Sequence, residues 1–273
     1  MPGLPMHLSE AGRYHRRMRS VRPLAAFLLL LVMTSCADEP AIEPVCRAME
    51  FEGDRFTACP YDSRRQSISL VWRSRPGAAI GSMKKLSRQT PATDVAFAMN
   101  AGMFDINGSP IGLYVENGVH FQPVNMRMGA GSFYLKPNGV FWVDATGDPH
   151  ITQSDDYMAA APAPLWASQS GPMLVVDGRL HMAFEHDGAS RHVRNGVGIG
   201  AEHLAIFVIS EQPVSFGKLA RFFRDRLGSR EALYFDGAVS SLWAPSLNRL
   251  DGASRLGPIV VVHPAAPLIS GRP

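Results

Sequence analysis

Cysteine is scarce in this sequence: only Cys36, Cys46 and Cys59 occur among 273 residues. They form no Cys-x-x-Cys pair, and no His-Glu-x-x-His or similar spacing occurs, so the sequence offers no recognisable thiolate or histidine metal motif. Internal repeats are absent, and charged residues make up only 19% of the chain. A hydrophobic content of 46% then predicts a globular protein of one large domain or two small ones.

The sequence also has little that could cross a membrane. Its apolar run at residues 24–33 is about half of the roughly 20 residues that a spanning helix needs. Five arginines precede this run, and Thr34-Ser35-Cys36 follows it. We therefore predict a secretory signal over residues 1–35, of the lipoprotein type, with Cys36 lipidated; ordinary signal cleavage is the alternative. The protein would be exported, to the periplasm or to an envelope membrane through its lipid anchor.

Little net charge remains once this signal is removed. The whole chain carries +3. Residues 1–35 contain five Arg and one Glu, a net of +4, so the mature part carries −1. We expect no nucleic-acid partner, because the basic character belongs to the signal.

Two cysteines remain after Cys36. An oxidising envelope favours a disulfide between Cys46 and Cys59, with two free thiols as the alternative. We interpret residues 36–64 as a linker with an irregular N-terminal segment, and residues 65–273 as the folded domain.

Strand patterns dominate this domain. Residues 67–72, 95–99, 197–200, 203–209, 232–235 and 259–262 read as strands, and Asn117-Gly118, Asn138-Gly139 and Asp177-Gly178 predict hairpins. A helix over residues 216–227 is predicted after Ser215, with Lys218, Arg221 and Arg224 on a solvated face. A second, short helix is predicted over residues 81–89. The pattern is typical of a single-domain α+β fold, a strand-rich mixed sheet with several hairpins and few helices.

Two of these strands end in a polar residue followed by small ones. Asp236 is followed by Gly237 and Ala238, whose exposed N–H groups could bind an anion; a turn capped by Asp236 is the alternative. Asn100 precedes Ala101-Gly102, and its amide suits a sugar hydroxyl or an N-acetyl group; an Asx-turn is the alternative.

Two further segments carry candidate binding groups. Ser170-Gly171 precedes a hairpin strand, where Gly171 permits a close approach of backbone to ligand. Ser170 lacks the Gly-x-Ser-x-Gly flanks of a hydrolase nucleophile. Arg194 could grip a phosphate with two parallel hydrogen bonds, although a surface ion pair is the commoner use. His192 could act as a base or be structural.

Taken together, four motifs resemble the phosphodiester glycosidase family. They are Asn-Ala-Gly-Met-Phe (100–104), Ser-Gly-Pro-Met-Leu-Val-Val-Asp-Gly (170–178), Arg-Asn-Gly-Val-Gly-Ile-Gly (194–200) and Tyr-Phe-Asp-Gly-Ala-Val-Ser-Ser (234–241). The resemblance covers about residues 65–263 and is nearest to a bacterial branch of uncharacterised periplasmic proteins.

The resemblance implies hydrolysis of a sugar-1-phosphodiester at the glycosidic carbon. Asn100, Arg194 and Asp236 would be the catalytic group, with Arg194 on the phosphate and Asp236 at the reacting centre. The residues implied in substrate binding are Gly102, Asp105, Ser170, Gly171, Gly237 and Ser240. Asp105 and Glu116 are candidates for a second carboxylate.

The motifs also depart from the family pattern. Ala101, Ala238 and Val239 stand where glycines are common, which alters the expected phosphate cradle. Two other functions stay open: a non-catalytic envelope lipoprotein that binds a sugar or glycan phosphate, and a metal-dependent phosphodiesterase. No cofactor is required by the sequence, and a divalent metal remains an option.

Overall fold

Strands dominate the part of the chain that the computed structural model describes, residues 45–74, 77–252 and 255–265. The predicted signal over residues 1–35 and the predicted lipidation site, Cys36, lie outside the described residues. The strands are Arg47–Phe51 (β1), Asp54–Asp62 (β2), Ser67–Val71 (β3), Phe97–Asn100 (β4), Tyr114–Glu116 (β5), Val119–Gln122 (β6), Gly139–Val143 (β7), Pro149–Gln153 (β8), Trp166–Ser170 (β9), Met173–Val176 (β10), Arg179–Leu180 (β11), Asn195–Ala201 (β12), Leu204–Ser210 (β13), Glu231–Tyr234 (β14), Leu242–Ala244 (β15), Arg249–Leu250 (β16) and Ile259–His263 (β17).

Helices are few and short. They are Met83–Gln89 (α1), Ser154–Ala160 (α2) and Phe216–Arg221 (α3), and α3 runs on into a π-helical turn, Phe222–Arg226. Single 3₁₀ turns occur at Ala92–Asp94, Ser132–Tyr134 and Pro245–Leu247. None of the helices in the described residues has the length and apolar character needed to cross a membrane.

The strands form three sheets, in the orders β1-β2-β13-β12-β14-β10-β11, β16-β15-β4-β17-β3 and β6-β5-β9-β7-β8. The α+β class and the single domain are confirmed. The described pairings are antiparallel throughout, so three antiparallel sheets replace the one mixed sheet that we expected.

The core lies where the three sheets meet. Phe207 of β13 packs against Phe97 of β4 and Phe141 of β7, with ring centroids 5.5 Å apart in each pair. Each sheet therefore supplies one fully buried ring to the same cluster. Phe235, which follows β14, packs against Phe207 at 6.3 Å. Because Asp236 is the next residue, the candidate site begins where the core ends.

The expected linker over residues 36–64 is wrong from residue 47 onward. β1 and β2 belong to the seven-stranded sheet, and residues 56–62 of β2 pair with β13. The prediction missed β2 because Pro60 argues against a strand: proline has no N–H to donate within a sheet. Pro60 lies beyond Ala58, the last β2 residue that pairs with β1. The structure also joins Cys46 to Cys59 in a disulfide.

Two of the three predicted hairpins are present. Asn117-Gly118 and Asp177-Gly178 have positive φ angles and connect β5 to β6 and β10 to β11. The third predicted hairpin, at Asn138-Gly139, is wrong. β7 begins at Gly139 and pairs with β8, which follows it in the chain, and not with the residues before Asn138. Asn138 is buried, and its side chain donates to the carbonyl of Phe133 at 3.0 Å. The side chain of Asn138 thus stabilises a buried loop by hydrogen bonding and does not form a tight turn.

The predicted solvated face of the 216–227 helix is also wrong for two of its three cations. Ser215 does cap α3, accepting from the N–H of Lys218 at 3.1 Å. Lys218 is buried and pairs with Asp54 at 2.6 Å, while Arg221 makes two hydrogen bonds to Glu52, at 2.8 and 2.6 Å. These ion pairs bind α3 to the β1–β2 turn, which the sequence had placed in the linker.

We expect Arg221→Ala to lower the free energy of unfolding by about 2–3 kcal/mol, because it removes charged hydrogen bonds at a side chain only 7% exposed. Arg224→Ala is the matched control. Arg224 pairs with its exposed neighbour Asp225, so its loss should cost less than about 1 kcal/mol. Urea denaturation of the two variants measures the difference, and equal effects would contradict the assignment.

Candidate functional site

The candidate site is a cavity of about 490 Å³. Ten residues line it: Gly131, Ser132, Leu135, Ser190, His192, Arg194, Phe216, Tyr234, Asp236 and Ala238. The structure thus brings Arg194 and Asp236, two of the three predicted catalytic residues, into one cavity. We call it the Arg194–Asp236 cavity.

Arg194 is held by neutral partners. Its Nε donates to the carbonyl of Val214 at 2.9 Å, and its Nη1 donates to the hydroxyl of Tyr234 at 3.0 Å. Nη2 donates to the carbonyl oxygen and the Oγ of Ser190, at 2.9 and 3.1 Å. The guanidinium also stacks on Phe216, with its central carbon 3.6 Å from the ring centroid.

This environment leaves the charge of Arg194 uncompensated. The side chain is only 1% exposed, and no carboxylate among the described residues pairs with it. Burial therefore lowers the pKa of Arg194, partly opposed by Tyr234. Buried charges are normally paired, so an unpaired guanidinium on a cavity wall suits an anionic ligand.

The hydrogen bonds of Arg194 correct our prediction of a two-pronged grip on phosphate. A guanidinium has five N–H groups, and the contacts above occupy all but one, on Nη1. Arg194 can therefore offer an anion its charge and at most one hydrogen bond.

Asp236 sits in a tightly bonded turn. Its N–H donates to the carbonyl of Ala101 at 3.1 Å, and its own carbonyl accepts from the side chain of Asn100 at 2.8 Å. The carboxylate has one protein partner, the N–H of Ala238 at 3.2 Å. Burial raises the pKa of Asp236, an effect that the Ala238 N–H partly opposes.

The main-chain cradle predicted after Gly237 is not formed. The N–H of Gly237 donates to the carbonyl of Phe235, and that of Val239 donates to the carbonyl of Asp236. With the Ala238 N–H on the Asp236 carboxylate, all three amides are used inside their own turn. Gly237 is needed for packing instead, because a Cβ there would lie 1.9 Å from the Tyr234 hydroxyl.

Asn100 lies behind the cavity and does not line it. It is 1% exposed, and its Oδ1 accepts from the N–H of Ser241 at 2.8 Å and from Nδ2 of Asn195 at 3.0 Å. Asn195 also donates to the Asn100 carbonyl at 2.8 Å. The structure gives Asn100 a positioning role beneath Asp236, where the sequence suggested contact with a sugar.

Ser240 belongs to the same buried network. Its Oγ lies 2.8 Å from the carbonyl of Val193 and 3.1 Å from Oδ1 of Asn195. It thereby ties the Asp236 turn to the residues on either side of Arg194, and it does not line the cavity.

Gly102, Gly171 and Ser170 do not line the cavity, and the two glycines are needed for packing. A Cβ on Gly102 would lie 2.4 Å from the Gln169 carbonyl, and one on Gly171 would lie 2.6 Å from Asn138. Ser170 is fully buried, and its hydroxyl has no hydrogen-bond partner among the described residues. These residues pack the sheet behind the site.

Neither candidate for a second carboxylate reaches the cavity. Asp105 caps its own loop, accepting from the N–H groups of Asn107 and Ser109 at 2.8 and 2.9 Å. Glu116 accepts from the Trp72 N–H at 3.1 Å and from the Tyr114 hydroxyl. Asp236 is the only acid among the described residues that line the cavity.

Sequence reasoning missed several groups that the cavity uses. Tyr234 and Phe216 looked like core residues, and Ser190 lay outside every motif. Asn195 stood within the Arg-Asn-Gly motif but drew no role of its own. Apolar side chains that flank a buried arginine have no distinctive sequence signal, because the same residues fill ordinary cores.

In residues 45–74, 77–252 and 255–265, no cluster of three or more His, Cys, Asp or Glu side chains could hold a metal ion.

The fold and the cavity define a strand-rich α+β protein whose cleft contains both an unpaired guanidinium and an acid. A family model described as phosphodiester glycosidase matches residues 93–262. An uncharacterized protein of Escherichia coli (strain K12), YigE, is 30% identical over 223 residues, or 81% of this chain and 84% of that protein. The chain therefore belongs to the phosphodiester glycosidase family, as its motifs predicted.

Two solved structures share the fold. The catalytic domain of zebrafish N-acetylglucosamine-1-phosphodiester alpha-N-acetylglucosaminidase, auto-inhibited by its pro-peptide, superposes with a TM-score of 0.56 at 14% identity, covering 84% of this chain and 85% of that one. A hypothetical protein from Synechocystis gives a TM-score of 0.55 at 15% identity, covering 80% of this chain and 61% of that one. At these identities the likeness concerns the fold alone.

We expect Gly237→Ala to lower the free energy of unfolding by about 1–3 kcal/mol, because the new methyl group collides with Tyr234. Gly252→Ala is the control, since a Cβ there meets nothing within 4 Å, and it should change stability by less than about 0.5 kcal/mol. Chemical denaturation distinguishes the two. Similar stabilities would show that the turn does not require glycine.

The raised pKa of Asp236 predicts a stability change with a definite sign. The native state disfavours the ionised carboxylate of Asp236. Ionisation therefore destabilises the native state as the pH rises above the ordinary pKa of 3.8, and this destabilisation is complete above the raised pKa of the native state. Asp236→Asn should therefore raise the thermal midpoint at pH 7. Its advantage should shrink as the pH falls toward 3.8, where the wild-type carboxyl is protonated in the native state. A constant advantage across this range would contradict the predicted shift.

Proposed function

We propose that the protein hydrolyses a glycosyl-1-phosphodiester, with the scissile sugar–phosphate bond in the Arg194–Asp236 cavity. The observation that carries the proposal is the buried guanidinium of Arg194, which has only neutral partners and shares its cavity with Asp236. Membership of the phosphodiester glycosidase family supports the same reaction class.

In the proposed reaction, water attacks the anomeric carbon. The bond between that carbon and the phosphate oxygen breaks, the water proton passes to Asp236, and a phosphate monoester leaves. Arg194 stabilises the charge on the departing phosphate. A phosphate leaves without prior protonation, so one carboxylate suffices where ordinary glycosidases use two. The raised pKa of Asp236 brings this base closer to neutral pH.

We place this activity in the cell envelope. The support is the sequence at residues 13–36, with its basic flank, short apolar run and Cys36. The substrate would be a glycan or glycosyl phosphate, and a lipid on Cys36 would hold the enzyme at a membrane.

The test is turnover of a panel of glycosyl-1-phosphodiesters by wild type and Asp236→Asn. We expect Asp236→Asn to lower kcat by roughly 10²–10⁴-fold, because it removes the proton acceptor. Asp225→Asn is the control, since Asp225 lies on the helical turn and pairs with Arg224. In ¹⁸O-labelled water the label should enter the sugar.

Three results would contradict the proposal in different ways. Label in the phosphate would indicate cleavage of the P–O bond, and loss of activity with a chelator would indicate a metal-dependent phosphodiesterase. Binding of the diesters without turnover by wild type would favour a non-catalytic binding lipoprotein.

A further inference from the structure

The net charge of the Arg194–Asp236 cavity does not by itself favour an anion, although Arg194 is positive. Arg194 brings one positive charge, and ionised Asp236 brings one negative charge. A phosphodiester adds a second negative charge, so the filled cavity would carry a net charge of −1. Of the described residues that line it, His192 is the only other one that can become positive.

Hydrogen-bond donors for the anion are also few. Arg194 has one free N–H, and the amides of residues 237–239 donate within their own turn. Ser132 and Ser190 also line the cavity, but their hydroxyls are neutral donors. Charged donors form the stronger hydrogen bonds to phosphate.

We propose that His192, as an imidazolium, is the second phosphate-binding residue of this cavity; this rests on the proposed function. Its main chain is fixed by a two-way bridge to Val214, with N-to-O distances of 3.3 and 2.8 Å. The carbonyl of Val214 also accepts from Nε of Arg194 at 2.9 Å. Val214 thus holds both the guanidinium of Arg194 and the main chain of His192 on the same wall.

The charged and titratable groups around His192 are few. The cavity presents Arg194, Asp236 and the hydroxyl of Tyr234. On the same segment Arg191 is paired with Asp187 at 2.8 Å. A protonated imidazole attracts an anion and a neutral one does not, so anion binding should strengthen on acidification. Protonation of Asp236 acts in the same direction, and a substitution at His192 is therefore needed to separate the two groups.

The test is equilibrium binding of a non-hydrolysable probe, the methyl monoester of a C-glycosyl phosphonate of N-acetylglucosamine, which keeps one negative charge over this pH range. Isothermal titration calorimetry gives Kd at pH 5.5 and pH 8. We expect His192→Gln to bind about tenfold more weakly than wild type at pH 5.5, and equally well at pH 8. His120→Gln, which changes an exposed histidine on β6 outside the cavity, should match wild type at both.

The outcomes separate this inference from the proposed function. Equal affinities of wild type and His192→Gln at pH 5.5 would overturn the role of His192. The expected loss, in a protein that hydrolyses no diester, would support His192 and count against the hydrolase. Failure of wild type to bind the probe at pH 5.5 would overturn both.

Discussion

A buried pair of asparagines sets the relation between the two charged groups of the site. Asn195, the first residue of β12, follows Arg194 and donates to both the carbonyl and the side chain of Asn100. Asn100 in turn donates to the main chain of Asp236. Because both amides are buried, a broken contact leaves polar atoms without water or partner, which costs more than the bond itself contributes. The distance between cation and acid is therefore maintained by the core rather than by the loops at the surface.

The environment of Arg194 solvates its charge without neutralising it. A carboxylate partner would have stabilised the guanidinium, but it would also have cancelled the field that an anion meets in the cavity. Carbonyl and hydroxyl oxygens satisfy the donors instead, and the face of Phe216 lies against the cation. The remaining penalty is seen as the lowered pKa. Such a residue is costly to stability and useful for binding, which is the combination expected at a functional site.

Sequence patterns located most elements and the two charged groups, and they failed where tertiary contacts decide. Alternation and Asn-Gly or Asp-Gly turns are local signals, so β5–β6 and β10–β11 were predictable. Asn138 has the same local signal but is bonded within a buried loop. Lys218 looked solvated because its partner Asp54 is 164 residues away. For Asn100 the residue type was recognisable, whereas the direction of its hydrogen bonds depends on Asn195 and Ser241, which only the folded chain brings near.

Carboxylates in this protein differ in how fully their oxygens are coordinated, and Asp144 and Asp236 are contrasting cases. Asp144 accepts from two N–H groups, the Thr146 hydroxyl and His150, and these hydrogen bonds hold its pKa at about 2 despite burial. Asp236 accepts a single hydrogen bond on its carboxylate, while its main chain is bound on both sides. An ionised carboxylate has about four acceptor positions, so most of those on Asp236 stay available to a water molecule or a sugar hydroxyl. The main chain of Asp236 is held in place by its hydrogen bonds, whereas most acceptor positions of its partly buried carboxylate are left without a protein partner. That combination accounts for both its raised pKa and its suitability as a proton acceptor.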